Sequence, residues 1–528
     1  MRKINVLDCT LRDGGYVNNF YFGKTVIQGI VSKLSKASID IIECGFLVSG
    51  ETDKNKSLFG SVEDIQSVLK KRNPNLMYVA MIQYGAISID EISDFDGNSI
   101  DGIRVTFHEH EIDGACVLGR ALIKKGYKVF MQPVGTMTYT DESLLNLIEK
   151  INDINPFAFY IVDTLGTMYK KDLLKMFKLV DKNLKPAVAV GFHSHNNLQL
   201  SFSNAQELIS IETNREIILD ASVFGMGRGA GNLSTELITR YINDNIGLKY
   251  GVIQVLEVMD EYIKPLSLQY KWGYDAAYYV AAVSGCHPNY ASFLLDKQTL
   301  HVQDIAYILG CLDKNRRALF NKEYIEQEYV RFMDRHVDDA FSLETLKRMV
   351  GKKKVVLIAP GKSIKGKERV INRLYESGDN FVVSINFKPQ DFKCNMLFIS
   401  NNKRFSSLQE VVSNNDCTTF ITSNIVADKE KGIHILDYMS YTNEESCIFD
   451  NSGLMCINLF NKIGVKEVVL MGFDGFSFDN KRNYYDITML NGVEKERLEN
   501  INEAMKRKIS QLRVQMDIKF FTPSAYDV

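Results

Sequence analysis

The sequence predicts an α/β protein with three parts: a (β/α)8 TIM barrel over residues 1–240, a helical extension over 241–350, and a smaller Rossmann-like α/β domain over 351–528. The barrel prediction depends on the spacing of short apolar runs and on the helical periodicity between them, as in residues 25–34. The eight runs span residues 4–7, 39–46, 77–82, 102–107, 128–133, 157–162, 187–192 and 217–223.

The runs follow one another at about 25–35 residues, which is the length of one strand–helix unit. They are apolar on both faces, which is typical of parallel strands buried on both sides. Eight such units without a break in the pattern indicate a closed barrel.

The strand pattern is lost after residue 240, where stretches such as 272–284 and 300–312 have the periodicity of helices. Three lysines at 352–354 precede a new apolar run and indicate a domain boundary near residue 350. Helical stretches then alternate with strand candidates, which predicts an open α/β sheet. The candidates span residues 355–359, 381–385, 396–399, 419–422, 433–436 and 468–471, and a charged helix is predicted at 493–515.

Composition excludes several functional classes. The chain has 63 basic and 65 acidic residues, and a net charge of −2 provides no general field for a nucleic acid. No apolar run approaches the ~20 residues that a membrane-spanning helix needs. Nine cysteines without a C-x-x-C pair fit reduced thiols. Because residues 1–8 lead directly into a strand and do not resemble a signal peptide, we expect a cytoplasmic protein.

Polar side chains follow the first and seventh apolar runs, at the barrel end where chemistry is expected. Residues 8–15 (DCTLRDGG) contain Arg12 beside Asp13, so a guanidinium that can hold a developing negative charge lies next to a potential metal ligand. Strand alternation places His193 and His195 on the same side, toward the lumen, where the two imidazoles could share a cation. The alternatives are a salt-bridged loop and a pair of structural histidines.

Further polar residues occur at other strand ends. The glycine-rich segment 225–232 (GMGRGAGN) could bring Asn232 to the site, or it could be a flexible turn; as a nucleotide-binding motif it is weak because it opens no βαβ unit. Glu43 and Arg104 lie within strands and need partners, so they could pair with each other inside the barrel. For His108 and His110 a loop position is favoured.

Asp13, His193 and His195 together form a mixed carboxylate–imidazole set. Such a set, without thiolates, suits a divalent Mn, Mg, Co, Fe or Zn ion. An ion with open coordination positions can chelate a 2-oxo acid and act as a Lewis acid toward its enolate.

Four motifs together resemble the DRE-TIM metallolyases, the HMG-CoA lyase-like superfamily, over about residues 1–300. They are residues 8–14 (DCTLRDG), Glu43, His193-x-His195 and residues 227–232 (GRGAGN). The last of these is most similar to the 4-hydroxy-2-oxovalerate aldolase branch. The resemblance implies a carbon–carbon lyase that makes or breaks a bond through a metal-bound enolate of pyruvate or a similar 2-oxo acid, with an aldehyde as the other substrate.

The same resemblance implies roles for individual residues. Asp13, His193 and His195 would bind the divalent metal, Mn or Mg, with Asn232 as a further ligand. Arg12 would stabilise the enolate oxygen. Substrate-binding roles are expected for the polar residues at the fourth, fifth and sixth strands, which are Arg104, Gln132 and Thr164.

One residue departs from the aldolase pattern. Tyr16 stands where that branch has a catalytic histidine. Proton transfer must then use another group, and the candidates are Tyr16 itself, His108, Glu43, Tyr274 and Tyr278. The departure leaves open a second activity on the same barrel, a Claisen-type synthase that uses an acyl-CoA donor.

The C-terminal domain has a fainter resemblance. Residues 355–363, 451–453 (NSG) and 472–474 (GFD) are similar to the sialyltransferase-like group of bacterial glycosyltransferases. The C-terminal histidine those enzymes use as a base has no counterpart, since His434 lies upstream of the matching place. A nucleotide-sugar-binding module and a plain structural domain are both compatible with this pattern. The whole chain could then be a bifunctional or scaffold protein of surface-polysaccharide synthesis, and a homo-oligomer is left open.

Overall fold

The structure, a computed structural model, describes residues 3–50, 52–69, 72–297, 299–389, 391–414, 417–425, 432–477, 483–486 and 495–527. The chain packs into two compact units. The first comprises Met1–Ser292 and Asp313–Phe320, and the second comprises Phe293–Leu312 and Asn321–Val528. The domain limits at residues 240 and 350 stay predictions.

The first unit is the predicted barrel, and all eight predicted strands are present. Its strands are β1 (Ile4–Asp8), β2 (Ile41–Leu47), a two-residue β3 (Leu58–Phe59), β4 (Met77–Gln83), β5 (Gly102–Phe107), β6 (Lys128–Pro133), β7 (Ala158–Asp163), β8 (Ala189–Ser194) and β9 (Ile217–Ala221). Neighbouring strands are parallel, and β1 pairs with both β9 and β2, which closes the barrel. The short β3 pairs with the end of β2.

Helices cover the outside of the barrel. They are α1 (Lys24–Lys36), α2 (Val62–Gln66), α3 (Ile112–Lys124), α4 (Asp141–Ile154), α5 (Lys170–Asn183), α6 (Ser201–Ser210) and α7 (Thr235–Asn245). Helix α4 shows why these segments are helical: Leu144, Leu147 and Ile151 recur at helical spacing and are buried. Its start is capped by the Thr140 hydroxyl, and it ends at Asn155 in the left-handed region, with φ of 52°.

The predicted helical segment follows the barrel. It contains α8 (Val252–Val258), a π-helical turn (Met259–Ile263), α9 (Lys264–Ser267), α10 (Ala276–Val283), α11 (Pro288–Lys297), α12 (Val302–Cys311), α13 (Lys322–Met333) and α14 (Ala340–Val350). The stretches predicted at 272–284 and 300–312 contain α10 and α12.

The second unit contains a seven-stranded parallel sheet. Its strands are β10 (Lys354–Ile358), β11 (Asn380–Ile385), β12 (Met396–Ile399), β13 (Thr418–Thr422), β14 (Ile433–Leu436), β15 (Glu467–Met471) and β16 (Asp517–Phe520). They lie in the order β14-β13-β12-β11-β10-β15-β16. The first strand, β10, therefore lies inside the sheet, with β11 to β14 on one side of it and β15 and β16 on the other. The strand order thus switches sides between β10 and β15. An open parallel α/β sheet was predicted here from the sequence, and it is present.

Five further helices belong to this unit: α15 (Glu368–Glu376), α16 (Asn402–Ser407), α17 (Gln409–Ser413), α18 (Ser452–Lys462) and α19 (Lys495–Leu512). Of the helix predicted at 493–515, residues 493 and 494 lie outside the described residues. The last strand, β16, was not predicted, because its alternating sequence DIKF directly follows a charged helix. Within the described part of the chain, no helix combines the length and apolar character needed to span a membrane.

The contact between Gly191 and Tyr160 gives a test of barrel packing. A methyl group on Gly191 would lie within 2.4 Å of three ring carbons of Tyr160. Because Tyr160 is fully buried, we expect Gly191→Ala to destabilise the barrel by about 1–3 kcal/mol. Calorimetry of the full chain measures this, with Gly247→Ala as the control because a methyl there meets no atom within 4 Å. Equal melting temperatures for the two variants would contradict the packing.

Candidate active site

A cavity of about 200 Å³ lies in the barrel unit, at the carboxyl ends of the strands. Parallel strands present their last inward-facing side chains at this end, which explains why residues distant in sequence meet here. The polar residues that line the cavity are Arg12, Tyr16, Gln83, Thr106, His108, Gln132, Thr164, His193, His195, Arg228 and His287.

The three predicted metal ligands converge beside this cavity. One ligand atom from each of Asp13, His193 and His195 lies within 4.8 Å of the others, and all three residues are buried. His195 Nδ1 lies 3.9 Å from Asp13 Oδ2. The two imidazole rings are 5.2 Å apart and nearly perpendicular. The alternation of the strand therefore directs both histidines inward, as predicted.

His193 is oriented by a carboxylate that the sequence analysis did not single out. Its Nδ1 lies 3.0 Å from Asp220 Oδ2. When Nδ1–H donates to this carboxylate, Nε2 keeps its lone pair for a metal, the usual arrangement behind a histidine ligand. Burial opposes ionisation of Asp220, but Arg104 and His193 outweigh it, so its pKa lies below the ordinary value. A lone carboxylate within the apolar run 217–223 was a signal that could have revealed this residue.

The unsatisfied atoms around Asp13 fit a divalent cation. His195 Nδ1 and Asn232 Oδ1 are buried and have no hydrogen-bond partner among the described residues. Asn232 also donates from Nδ2 to Asp13 Oδ2 at 2.8 Å, so its side chain is held beside the predicted ligands. The available donors are imidazole nitrogens, a carboxylate and an amide oxygen, with no thiolate. Divalent metals accept such a donor set.

The charges beneath the cavity support the same conclusion. Two guanidinium groups, Arg12 and Arg104, are buried with three carboxylates, Asp13, Glu43 and Asp220. Burial opposes ionisation of Asp13, but Arg12 and the two histidines outweigh it, and its pKa lies well below the ordinary value. The cluster therefore carries surplus negative charge, which a cation at Asp13 would compensate.

Arg12 is held in one orientation by two carboxylates. Its Nε donates to Glu43 Oε2 at 2.9 Å and its Nη1 donates to Asp13 Oδ1 at 2.7 Å. Burial disfavours the charged form, but the two carboxylates outweigh it, so the Arg12 pKa lies well above its ordinary value. Its Nη2 is buried without a hydrogen-bond partner within the described structure. A fixed, charged N–H group is thus available next to the predicted metal ligands.

Glu43 and Arg104 lie below the cavity and do not belong to its lining. Glu43 Oε2 accepts a second bond from Arg104 Nη1 at 2.8 Å, and Arg104 Nη2 donates to Asp220. The pairing considered as the alternative for these two residues is therefore present. Their contacts hold the side chains of Arg12 and Asp220 in place. The catalytic role of Glu43 and the substrate-binding role of Arg104 stay predictions.

The other predicted site residues divide into two groups. Tyr16, His108, Gln132 and Thr164 line the cavity, whereas Tyr274 and Tyr278 are not among its lining residues. Thr164 Oγ1 accepts a hydrogen bond from the Gly135 amide at 2.8 Å, which fixes the loop after β6.

His287 also lines the cavity and was not predicted. Burial lowers its pKa to about 3, and the charge of Arg228 adds to the effect, so the imidazole is neutral. Its Nδ1 accepts a hydrogen bond from the Asn289 amide at 3.1 Å, which leaves the ring proton on Nε2. His287 lies after the eight strand–helix units in the sequence. Strand spacing therefore could not predict its position at the barrel mouth.

A family model described as HMGL-like matches residues 120–252, which include His193 in β8, His195 just after it, and the segment with Asn232. The matched segment of the barrel unit is HMGL-like. The chain is similar to oxaloacetate decarboxylase of Mycobacterium tuberculosis, with 28% identity over 240 residues that cover 45% of this chain and 69% of the relative.

Two further comparisons involve an aldolase and a lyase. The 4-hydroxy-2-oxovalerate aldolase of Carboxydothermus hydrogenoformans is 27% identical over 336 residues, 59% of this chain and 93% of the relative. A solved structure, HMG-CoA lyase from Brucella melitensis, is 14% identical with a TM-score of 0.42, and the match covers 50% of this chain and 99% of that chain. The predicted resemblance to the DRE-TIM metallolyases is confirmed, and the resemblance of the C-terminal domain to sialyltransferase-like proteins stays a prediction.

Asp220 gives a test of the candidate metal site. Because its carboxylate fixes the ring of His193, we expect Asp220→Asn to weaken Mn²⁺ binding by roughly 10–100-fold. We expect His193→Ala, which removes a ligand, to abolish binding. Isothermal titration of the full chain with Mn²⁺ measures both, with Asp244→Asn, an exposed partner of Arg240, as the control. Full-affinity binding by His193→Ala in a folded variant would contradict this assignment.

Proposed function

We propose that the barrel is a divalent-metal-dependent carbon–carbon lyase of the aldolase type, acting on a 2-oxo acid such as pyruvate and on an aldehyde. The observation that carries the proposal is the convergence of Asp13, His193 and His195 beside the unpartnered Nη2 of Arg12. The names of the aldolase and decarboxylase relatives support the same class of reaction. Manganese or magnesium is the proposed metal and the cytoplasm the proposed location.

Arg12 performs the electrostatic part of this reaction. Cleavage or formation of the bond passes through an enolate, whose oxygen becomes negative, and the Nη2 group donates to that oxygen. Glu43 and Asp13 hold the guanidinium in place in advance, so little reorganisation is required when the charge develops. The metal, when bound, supplies Lewis-acid polarisation of the 2-oxo acid carbonyl.

Proton transfer requires a group in the cavity, and His287 is suited to donate. Its neutral ring carries the proton on Nε2, because Nδ1 is occupied by the Asn289 amide. An aldehyde oxygen that becomes an alkoxide during bond formation could accept this proton. His108, which also lines the cavity, remains the candidate base.

The size of the cavity favours this reaction over the Claisen-type alternative. A volume of about 200 Å³ lies below the roughly 300–1,000 Å³ of pockets for drug-sized ligands. Two small carbonyl compounds suit such a space better than an acyl-CoA. Assays with pyruvate and aldehydes, run beside assays with acetyl-CoA and 2-oxo acids, separate the two activities.

Arg12→Ala tests the proposed role of the guanidinium. We expect kcat to fall by about 10²–10³-fold, because a preorganised donor to the developing charge is lost. Turnover of Mn²⁺-loaded protein measures kcat, and Mn²⁺ titration of the same variant should show that the metal still binds. Arg240→Ala, in an exposed pair on α7, is the matched control. An unchanged kcat in Arg12→Ala would refute the enolate role.

The second unit favours a second candidate function. A cavity of about 1030 Å³ in this unit is lined by the segments that follow β10, β11 and β15 and by the start of α18. The sheet reverses direction between β10 and β15, the point where open α/β sheets bind ligands. The Ser452 hydroxyl accepts hydrogen bonds from Asn386 Nδ2 at 2.5 Å and Ser400 Oγ at 2.7 Å, which join the start of α18 to β11 and β12.

We propose that this cavity binds a nucleotide sugar, in which case the chain is a bifunctional or scaffold protein of surface-polysaccharide synthesis. Titration calorimetry of the full chain with CMP- and UDP-sugars tests it. We expect binding to weaken at least tenfold in Arg404→Ala, which changes a lining residue, and to persist in Arg369→Ala on the exposed side of α15. No heat with any of these sugars would refute the proposal.

A further inference from the structure

The barrel cavity has an unbalanced set of charged side chains. Its described lining residues include two arginines and four histidines but neither an aspartate nor a glutamate. Asp13 is close, but it is fully buried and engaged by Arg12 and Asn232. A ligand that fills this space therefore meets cationic and neutral donors on the cavity wall.

Arg228 differs from the other arginines within the barrel. Arg12, Arg104 and Arg215 each form an ion pair with a buried or half-buried carboxylate. The Arg228 side chain is half-buried and has no ion pair or hydrogen bond with any part of the chain that the structure describes. Its charge contributes to the lowered pKa of Asp13, but the two groups form no ion pair. Its guanidinium lies over the ring of Tyr16, 4.2 Å from the centroid. A partly desolvated guanidinium without an anion is costly, and an anionic ligand would compensate it.

Two glycines hold Arg228 close to the metal site. A methyl group on Gly227 would lie 2.5 Å from Asn232 Nδ2 and 3.0 Å from Asp13 Oδ2, so the backbone packs directly against these side chains. Gly229 has φ of +62°, and a methyl group there would lie 2.8 Å from Asn197 Oδ1. The backbone on either side of Arg228 is therefore fixed, and its side chain extends to the cavity from a defined position.

We propose that Arg228 binds an anionic group on the aldehyde substrate, so that the preferred aldehyde carries a carboxylate or a phosphate. This rests on the proposed aldolase function and specifies its substrate class. The 2-oxo acid occupies the end of the cavity beside Asp13, His193 and Arg12, and Arg228 receives the negative charge of the aldehyde. The chemistry is otherwise unchanged: a proton leaves the methyl carbon of pyruvate, that carbon bonds to the aldehyde carbon, and the aldehyde oxygen takes a proton.

Tyr16 has a definite role in this arrangement. Its ring lies under the guanidinium and supports it by a cation–π interaction, which makes Tyr16 a positioning residue for Arg228. The ring of Tyr16 is therefore required for this role, and its hydroxyl is not. Tyr16→Phe keeps the ring and should keep the preference for charged aldehydes, whereas Tyr16→Ala should reduce it.

The test compares matched charged and neutral aldehydes with pyruvate and Mn²⁺-loaded full-length protein. The pairs are succinic semialdehyde with butanal, for a carboxylate, and glyceraldehyde 3-phosphate with glyceraldehyde, for a phosphate. We expect kcat/KM to favour the charged member of one pair by about 10–100-fold, the scale of a charged hydrogen bond. Arg228→Met should reduce this ratio to below threefold, mainly through KM, and Arg228→Lys should retain part of it.

A binding measurement keeps the proposal testable without turnover. Calorimetry with 2-oxoglutarate and 2-oxobutyrate should show tighter binding of the dicarboxylate, and Arg228→Met should remove the difference. Arg240→Met is the control for loss of a positive charge elsewhere on the barrel. Absence of product with every aldehyde would refute the aldolase function, while this binding difference would still decide the role of Arg228. Equal binding of the two acids by the wild type, or an unchanged difference in a folded Arg228→Met variant, would overturn the proposal.

Discussion

A chain of buried ion pairs beneath the barrel mouth is the constraint on which the site depends. Glu43 Oε2 accepts from both Arg12 and Arg104, and Arg104 continues to Asp220, which orients His193. Buried charges are tolerated only when they are paired, so each member requires its neighbours. Two of the predicted metal ligands, Asp13 and His193, and the predicted enolate donor Arg12 are therefore held by one connected network.

Closure of the barrel makes this network possible. β1 carries the segment with Arg12 and Asp13, and its register with β9 places Leu7 opposite Asp220. β8, on the other side of β9, supplies His193. An open sheet with the same strands would leave β1 and β2 as separate edges, and Glu43 and Arg12 would not share a bond. The fold thus contributes to the chemistry by bringing the first and last strands together.

The sequence predicted the barrel strands and the inward histidines well, because strand alternation and strand–helix spacing are local properties. Apart from the pair of Glu43 and Arg104, it did not identify partners across the barrel. Asp220 was hidden within an apolar run, and His287 belongs to a segment whose position depends on tertiary packing. Arg228 was visible in the glycine-rich motif, but only the three-dimensional structure shows that it forms no ion pair with a carboxylate of the described residues. In the second unit β16 was missed, since four alternating residues after a charged helix carry little signal.

The two bonds to a single carboxylate oxygen of Glu43 have an evolutionary consequence. Because Arg12 and Arg104 depend on the same acceptor, changes at these positions will be strongly non-additive, and replacement of one member will depend on what occupies the other two. The rim residue Arg228 forms no ion pair with this network among the described residues, and its side chain contacts an aromatic ring. Residues at the barrel mouth can thus change one at a time during evolution, whereas Glu43, Arg12 and Arg104 are expected to change together or not at all.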